Sequence, residues 1–376
     1  MKLEVIQGTN VIGGSIVKIY GKTKNILIDL GESLNGKILG DSILEHALEG
    51  VDDIFITHYH TDHVALMNHP LLEGKNFHLS KLTKDVLDSK GIKNYSNYFI
   101  ISNKTPIYID NLVITPFRSD HSASDSYMFL IDDGVKKILH TGDYRLHGMH
   151  PWYNEILNEF SKNNNLKIDL LITEGTYYNT NYKFINEDVL RNDYFYNLFI
   201  NKAYNFVYVP STNFSRMKEL YDLSIELGYK FYIYKTARIL FQKAYPNIEV
   251  YPLEFASPKH MIDERFIALF SPNDEIKELY NSFSSGERSL VYSAWIGYLN
   301  QKYEKIYNFF MDLPFTTIHT AGHCDKESID RFIYIIKPDK LLPIHTEAIE
   351  EFKLNFDNVV DIKDLEMFEI WYISFL

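Results

Sequence analysis

The sequence predicts an α/β fold, because short apolar runs that read as β-strands alternate with segments of helical spacing along most of the chain. Polar side chains follow or end four of the predicted strands, which are Asn25–Asp29, Val51–Thr57, Lys136–His140 and Asp169–Thr173. Ligand-binding groups of α/β proteins are expected at strand ends and on the loops that follow them. The unusual side chains of this sequence are concentrated at those positions.

A chain of 376 residues is longer than one ordinary domain and has the usual length of a two-domain protein. The stretch from about 185 to 312 predicts a separate unit. Within it, a predicted strand at Asn205–Val209 is followed by a polar turn, a helix at Met217–Leu227 and a second strand at Tyr229–Tyr234. Gly228 ends the helix at the position that glycine favours. This βαβ pattern predicts a second α/β domain.

Composition and charge exclude several classes of protein. Hydrophobic residues make up 45% and charged residues 23% of the chain, which excludes a disordered protein. A net charge of −12 excludes a generally basic protein that coats nucleic acid, although it leaves a local basic patch open. The single cysteine, Cys324, excludes an internal disulfide and a cysteine-rich zinc module.

The sequence predicts a cytoplasmic protein without a membrane partner. Glu4 stands where a signal peptide would need its apolar stretch. The chain also contains no run of about 18 apolar residues, which a spanning helix requires.

The strongest signal of function is a cluster of metal-ligand side chains in residues 57–63, directly after a predicted strand. His58 and His60 are two residues apart on an extended segment, so they can share one ion. Asp62 and His63 lie on the turn beyond and can reach a neighbouring ion. Imidazole and carboxylate without thiolate favour Zn²⁺ and tolerate Mn²⁺ or Fe. The alternative is an exposed histidine-rich loop.

This segment resembles the H-x-H-x-D-H motif of the metallo-β-lactamase superfamily, and further motifs follow in order. Asp29, His121 and Asp143 resemble the first, third and fourth motifs of that superfamily. The segment His140-Thr141-Gly142-Asp143-Tyr144 has the form that is typical of the β-CASP nuclease branch of this superfamily. Glu174, His323 and His345 resemble motifs A, B and C of that branch.

The resemblance implies a metallo-β-lactamase αββα sandwich with an inserted β-CASP cap, which is a Rossmann-like α/β domain. The predicted boundaries are 1–182 and 313–376 for the two parts of the sandwich and 183–312 for the cap. The sequence departs from the ribonuclease J group at Ala321 and Thr346, where that group has serine and glycine. Too few residues follow His345 to form the C-terminal domain of that group. We therefore expect the resemblance to cover the other domains of that group and not this one.

The resemblance also implies two divalent metal ions and a role for each motif residue. One ion would be held by His58, His60 and His121, the other by Asp62, His63 and His345, and Asp143 would bridge the two. A hydroxide activated by both metals would attack phosphorus, with Asp62 orienting it. His323 would act as the general acid and Glu174 would hold His323 in its working tautomer. Asp29 would orient the site rather than bind metal.

The cap in this branch forms a groove for single-stranded nucleic acid. Five residues at a predicted helix N-terminus offer a phosphate pocket, and these are Ser211, Thr212, Asn213, Ser215 and Arg216. An ordinary polar helix cap is the alternative for this group. His319 is either a further substrate contact or a structural histidine, and Arg145 either pairs with Glu174 or meets a phosphate.

The sequence therefore predicts a metal-dependent phosphodiesterase that cleaves single-stranded RNA, either as an exonuclease or as an endonuclease. A DNA nuclease of the same branch is the first alternative, because Thr141–Arg145 also resembles DNA-repair relatives. A small-molecule metallo-hydrolase and a binding subunit without activity are the others. The resemblance leaves a homodimer open.

Overall fold

The computed structural model describes residues 1–34, 39–92, 97–149, 152–162, 166–255 and 258–371. The chain divides into two compact units. The first unit consists of Met1–Leu146, His150–Lys183 and Gly322–Leu376. The second consists of His147–Met149 and Phe184–Ala321. Strands are numbered β1 to β19 and α-helices α1 to α13 along the chain.

The first unit contains two mixed sheets. The seven-stranded sheet has the order β19-β1-β2-β3-β4-β5-β6. Its strands are β1 (Lys2–Gln7), β2 (Ile16–Tyr20), β3 (Asn25–Ile28), β4 (Val51–Phe55), β5 (Asn76–Leu79), β6 (Asn97–Ile100) and β19 (Met367–Glu369). The six-stranded sheet has the order β18-β11-β10-β9-β8-β7. Its strands are β7 (Ile107–Ile109), β8 (Leu112–Ser119), β9 (Ser126–Asp132), β10 (Lys137–His140), β11 (Leu170–Thr173) and β18 (Lys340–Pro343).

Apolar side chains of the two sheets meet in one core between them. Val17 and Phe55 from the first sheet belong to the same buried cluster as Phe129 and Ile172 from the second. The α-helices in the described part of this unit are α1 (Asp41–Leu48), α2 (Thr61–Val64), α3 (Lys81–Ser89), α4 (Trp152–Lys162), α12 (Lys326–Ile336) and α13 (Ile349–Asn355).

Helices cover the outer face of each sheet. Leu27 of the first sheet shares a buried cluster with Leu44 of α1. Leu139 of the second sheet shares another with Phe332 of α12 and Phe352 of α13. The layers of this unit are therefore helix, sheet, sheet and helix, which confirms the predicted αββα sandwich.

The second unit is built on one parallel sheet with the order β14-β13-β15-β12-β16-β17. Its strands are β12 (Tyr204–Tyr208), β13 (Lys230–Ile233), β14 (Tyr251–Pro252), β15 (Phe266–Phe270), β16 (Arg288–Tyr292) and β17 (Thr316–Thr317). Its helices are α5 (Glu187–Val189), α6 (Tyr196–Phe199), α7 (Phe214–Leu227), α8 (Lys235–Ala244), α9 (Pro258–Met261), α10 (Asp274–Asn281) and α11 (Glu304–Met311). This architecture is the predicted Rossmann-like α/β domain.

The βαβ unit predicted around residue 220 is present as β12, α7 and β13. Gly228 ends α7 with a left-handed backbone (φ 69°), and the backbone N–H groups of Gly228 and Tyr229 bond back to the last turn of the helix. The compact unit ends at Ala321 rather than at the predicted 312, because β17 continues its sheet beside β16.

No helix among the residues that the structure describes is both long enough and apolar enough to span a membrane.

Candidate metal centre

The predicted metal ligands lie on loops that leave strand ends of the first unit. His58 and His60 follow β4, and α2 carries Asp62 and His63. The other candidate ligands follow three strands of the second sheet: His121 after β8, Asp143 after β10 and His345 after β18. Glu174, the predicted partner of His323, follows β11. Residues far apart in the sequence therefore reach one region of the sandwich.

Residues just before β2 and just after β3 hold α2 in place. The carbonyl oxygen of Asp62 accepts a hydrogen bond from the Ser15 backbone N–H (3.2 Å), and that of His63 accepts one from Leu30 (2.8 Å). Gly31 is required at this contact, since a Cβ there would overlap the carbonyl oxygen of Asp62.

Asp29 fixes the orientation of His63. Its carboxylate accepts hydrogen bonds from the backbone N–H and the hydroxyl of Thr57, each at 2.8 Å, and lies 2.7 Å from Nδ1 of His63. Asp29 is fully buried and has a left-handed backbone (φ 61°). With Nδ1 engaged by the carboxylate, His63 presents Nε2 to the cluster. Such a carboxylate–histidine contact is how proteins orient an imidazole ligand.

The candidate ligands form two main groups. In each group, one nitrogen or oxygen atom per residue lies within 4.8 Å of all the others. The first group, the histidine trio, consists of His58, His60 and His121. The second group, the mixed quartet, consists of Asp62, His63, Asp143 and His345. His323 also clusters with His121 and Asp143.

The Asp143 carboxylate belongs to the quartet and also lies close to the trio. Its Oδ2 atom is within 4.0 Å of a ring nitrogen of five histidines, which are His58, His63, His121, His323 and His345. The shortest of these distances is 3.2 Å, to His63 Nε2. Although burial alone would raise the pKa of Asp143, the imidazoles of His345, His63 and His323 hold it well below its usual range. Asp143 is therefore ionised and within reach of both groups.

The chemistry of these groups fits divalent metal ions. Among the residues that the structure describes, Nε2 of His58 and Oδ1 of Asp143 are buried without a hydrogen-bond partner. Buried polar atoms without partners are costly, and coordination to a cation would satisfy both. Burial also lowers the pKa of His60 to about 4 and holds the pKa of His58 and His121 well below its usual value. The trio is therefore uncharged at neutral pH, as histidine ligands must be.

His323 and Glu174 form a close pair beside this cluster. Nδ1 of His323 lies 2.9 and 3.0 Å from the two carboxylate oxygens of Glu174, which is buried. Glu174 also accepts a hydrogen bond from the Tyr144 backbone N–H (3.0 Å). Burial alone would lower the pKa of His323, but Glu174 and Asp143 raise it to about 9. The ring is therefore charged at neutral pH, with Nδ1 bonded to Glu174 and its side chain 21% exposed.

A buried ion pair joins two of the ligand-bearing loops. Nε of Arg145 lies 2.9 Å from Oδ1 of Asp120, and the Arg145 backbone N–H donates to the carbonyl of Asp120 (2.7 Å). Asp120 precedes His121, and Arg145 follows Asp143 by two residues. Arg145 thus positions ligand loops through Asp120, a partner that differs from the Glu174 or phosphate weighed from the sequence.

One residue of the site was missed by sequence reasoning. The hydroxyl of Thr176 lies 2.6 Å from Glu174, 3.0 Å from Nδ1 of His345 and 3.2 Å from Nδ1 of His323. A threonine in a turn carries no local signal of such a role. Its closeness to Glu174 in the sequence was the one available hint.

The predicted phosphate-pocket residues lie in the second unit, around the N-terminus of α7. Asn213 caps the helix, with its side chain accepting from the Arg216 backbone N–H (3.1 Å). Ser215 is buried, and the Ser211 hydroxyl is within hydrogen-bond reach of the Tyr234 side chain. Thr212 and His319 are half-buried on loops of the same unit. Asn213 therefore has the role of the ordinary polar cap named as the alternative, and a phosphate contact of Ser211, Thr212, Ser215 and His319 stays a prediction.

The structure disagrees with the proposed phosphate contact of Arg216. The guanidinium is buried. It donates hydrogen bonds to Glu187 and to Ser293 (3.0 Å), and it forms an ion pair with Glu219 (3.2 Å). Two buried or nearly buried glutamates thus already balance its charge. Arg216 holds the interior of the second unit together, and no exposed edge is left for a phosphate.

We expect Arg216→Met to destabilise the second unit by roughly 3–5 kcal/mol, because it leaves two buried carboxylates without their counter-charge. Urea unfolding followed by circular dichroism would measure the loss. Arg238→Met is the matched control, since Arg238 pairs with the partly exposed Glu254 and should cost at most about 1 kcal/mol. Unchanged stability together with weaker oligonucleotide binding would instead restore the phosphate role of Arg216.

Comparison with known proteins agrees with this geometry. The sequence profile described as "Beta-lactamase superfamily domain" matches residues 24–189. Ribonuclease J of Helicobacter pylori strain B128 is 25% identical over 398 aligned positions, which cover 92% of this chain and 56% of the relative. Probable RNase MJ4 of Methanocaldococcus jannaschii is 28% identical over 194 positions, covering 45% of this chain and 44% of the relative. The chain thus spans about half the length of these curated relatives.

A solved structure shares the whole fold. It is the crystal structure of a protein of unknown function from Enterococcus faecalis V583, with a TM-score of 0.75 over 98% of this chain and 99% of that chain, at 17% identity. Two sheets between helices, an inserted parallel-sheet unit, the ordered motifs and these relatives lead to one conclusion. Residues 24–189 form a β-lactamase superfamily domain, and the chain as a whole resembles the β-CASP branch of that superfamily.

Proposed function

We propose that this protein is a metal-dependent phosphodiesterase that cleaves single-stranded RNA. The observation that carries the proposal is the position of Asp143, a quartet member whose carboxylate is within 4.0 Å of histidines of both groups. A two-metal site is typical of enzymes that hydrolyse phosphodiesters. RNA is the proposed substrate because the relatives that align along the chain are named as ribonucleases.

The proposed ligand set uses each residue of the two groups. His58, His60 and His121 would hold one divalent ion, Asp62, His63 and His345 would hold the second, and Asp143 would contact both. Two divalent ions in such a site supply positive charge for the phosphodiester and activate water. Ligands that are imidazole and carboxylate, without thiolate, favour Zn²⁺, with Mn²⁺ as the alternative.

Asp62 and His323 have proposed roles in handling protons. The Asp62 side chain is 14% exposed, whereas those of His63, Asp143 and His345 are at most 2% exposed. Asp62 is therefore the quartet member best placed to contact the attacking water. The leaving 3′-oxygen needs a proton, and His323 would donate it from Nε2 while Glu174 holds Nδ1.

The decisive experiment compares the purified wild-type protein with its Asp62→Ala, His63→Ala double variant under Zn²⁺ or Mn²⁺. The substrates are single-stranded RNA and DNA of one sequence, each with a 5′-phosphate or a 5′-hydroxyl and labelled at either end. We expect the wild type to cut RNA and the variant to be inactive. Mononucleotides released only from 5′-phosphorylated RNA would indicate a 5′ exonuclease, whereas internal products would indicate an endonuclease.

A matched control removes an aspartate and a histidine elsewhere in the first unit. Asp53 and His78 are a buried pair with Oδ1 and Nε2 2.8 Å apart, and neither belongs to the trio or the quartet. The Asp53→Ala, His78→Ala variant should keep its cleavage activity once it is shown to be folded. Cleavage of DNA in preference to RNA would support the DNA-nuclease alternative, and no cleavage of either with metal bound would contradict the proposed function.

A further inference from the structure

The Thr176 hydroxyl occupies the point where three groups of the site converge. It follows β11 in a turn and is within hydrogen-bond distance of a Glu174 oxygen (2.6 Å), Nδ1 of His345 (3.0 Å) and Nδ1 of His323 (3.2 Å). Its backbone N–H also lies 3.3 Å from the same Glu174 oxygen. Glu174 therefore contacts both the hydroxyl and the backbone of Thr176.

The protons that each group carries determine which group donates to which. A hydroxyl has one proton to donate and two lone pairs, whereas an ionised carboxylate only accepts. The short contact to Glu174 must therefore be a bond that Thr176 donates. Nδ1 of His323 already lies 2.9 and 3.0 Å from the two Glu174 oxygens, so its proton points to that carboxylate. The lone pairs of Thr176 remain to accept from Nδ1–H of His345.

In a neutral His345 ring, this bond keeps the proton on Nδ1. With the proton on Nδ1, the lone pair of the neutral ring lies on Nε2. That nitrogen is 3.1 Å from Oδ2 of Asp62 and 3.8 Å from Oδ2 of Asp143, on the side of the mixed quartet. A ring with the opposite tautomer would turn an N–H toward the quartet and could not bind a cation there.

Other candidate histidine ligands show the same arrangement. Nδ1 of His63 contacts Asp29 (2.7 Å), Nδ1 of His58 contacts the Thr57 hydroxyl (3.0 Å), and Nδ1 of His121 contacts the carbonyl of Gly322 (2.5 Å). Thr176 supplies the corresponding oxygen for His345. It differs from the others because it is bonded to Glu174 as well.

We propose that Thr176 is a positioning residue that selects the metal-binding tautomer of His345 and, through Glu174, aligns His323. The inference rests on the metal centre described under the proposed function. Thr176 would tie a ligand of the quartet to the proton donor of the reaction, while leaving the histidine trio untouched. Removal of its hydroxyl should therefore weaken the binding of one metal ion and leave the binding of the other unchanged.

The test is a metal titration of the full chain, stripped of metal and competed with a chromophoric zinc chelator. Thr176→Val keeps the shape of the side chain and removes its hydroxyl. We expect it to weaken one of two Zn²⁺ binding steps by about 10–100-fold, as loss of a group that orients a ligand does. The other step should change by less than about 3-fold, and Thr176→Ser, which keeps the hydroxyl, should restore both.

Thr173→Val is the matched control for buried packing. Thr173 is fully buried three residues earlier, and its hydroxyl donates to the Glu174 backbone carbonyl (3.2 Å). Equal losses in Thr173→Val and Thr176→Val, unchanged zinc binding in Thr176→Val, or failure of Thr176→Ser to restore it would each overturn the inference. No substrate takes part in the titration, so a failure to cut RNA leaves its result intact. A wild-type chain that binds fewer than two ions would overturn the proposed centre and this inference together.

Discussion

Asp143→Asn should reduce RNA cleavage by about 10³-fold, the upper range for the loss of one charge-stabilising group. It should also lower the number of zinc ions that the purified protein retains. The substitution keeps the size of the side chain but removes the negative charge that lies within 4.0 Å of five histidines. Initial rates on labelled single-stranded RNA and metal analysis by mass spectrometry would measure both effects.

The control for this prediction is Asp53→Asn. That substitution also removes a buried carboxylate paired with a histidine, His78, but it lies outside both ligand groups. It should retain both the ions and the cleavage rate. Full metal content and near wild-type cleavage in Asp143→Asn would contradict a carboxylate shared by two ions.

His323→Ala should slow RNA cleavage by roughly 10²–10⁴-fold, the usual effect of losing a general acid. The same variant should lose less than about 10-fold on bis(p-nitrophenyl) phosphate, because p-nitrophenolate leaves without needing a proton. Glu174→Gln should show the same dependence on substrate with a smaller loss of rate. The substitution weakens the hydrogen bond to Nδ1 of His323 but leaves the imidazole ring in place. Steady-state rates on the two substrates, at one pH and one zinc concentration, would give the ratio.

This comparison also distinguishes two roles for His323, a proton donor and a metal ligand. Its ring lies near His121 and Asp143 and could belong to a third ligand group. If His323 were a ligand, His323→Ala would lose metal and would lose activity equally on both substrates. A normal zinc content with selective loss on RNA is the outcome that supports a proton donor.

Local sequence determined the part of the site that is continuous along the chain. His58, His60, Asp62 and His63 lie within six residues after a strand, so chain geometry alone brings them together. The βαβ pattern of the second unit was equally local, because helical spacing and Gly228 define α7 without reference to the rest of the fold. The αββα architecture was expected through motifs that resemble a known family.

Only the tertiary structure decided which distant residues meet and which charges are already paired. Asp62 and His345 are 283 positions apart, yet their side chains lie 3.1 Å from each other. Thr176 and the Asp120–Arg145 pair carry no local sign of their contacts. Arg216 resembles a phosphate contact in the sequence, whereas in the fold it pairs with Glu187 and Glu219. Burial and counter-charge are properties of packing between elements. A sequence can therefore display a ligand's chemistry, while the fold determines its partner, its tautomer and its accessibility.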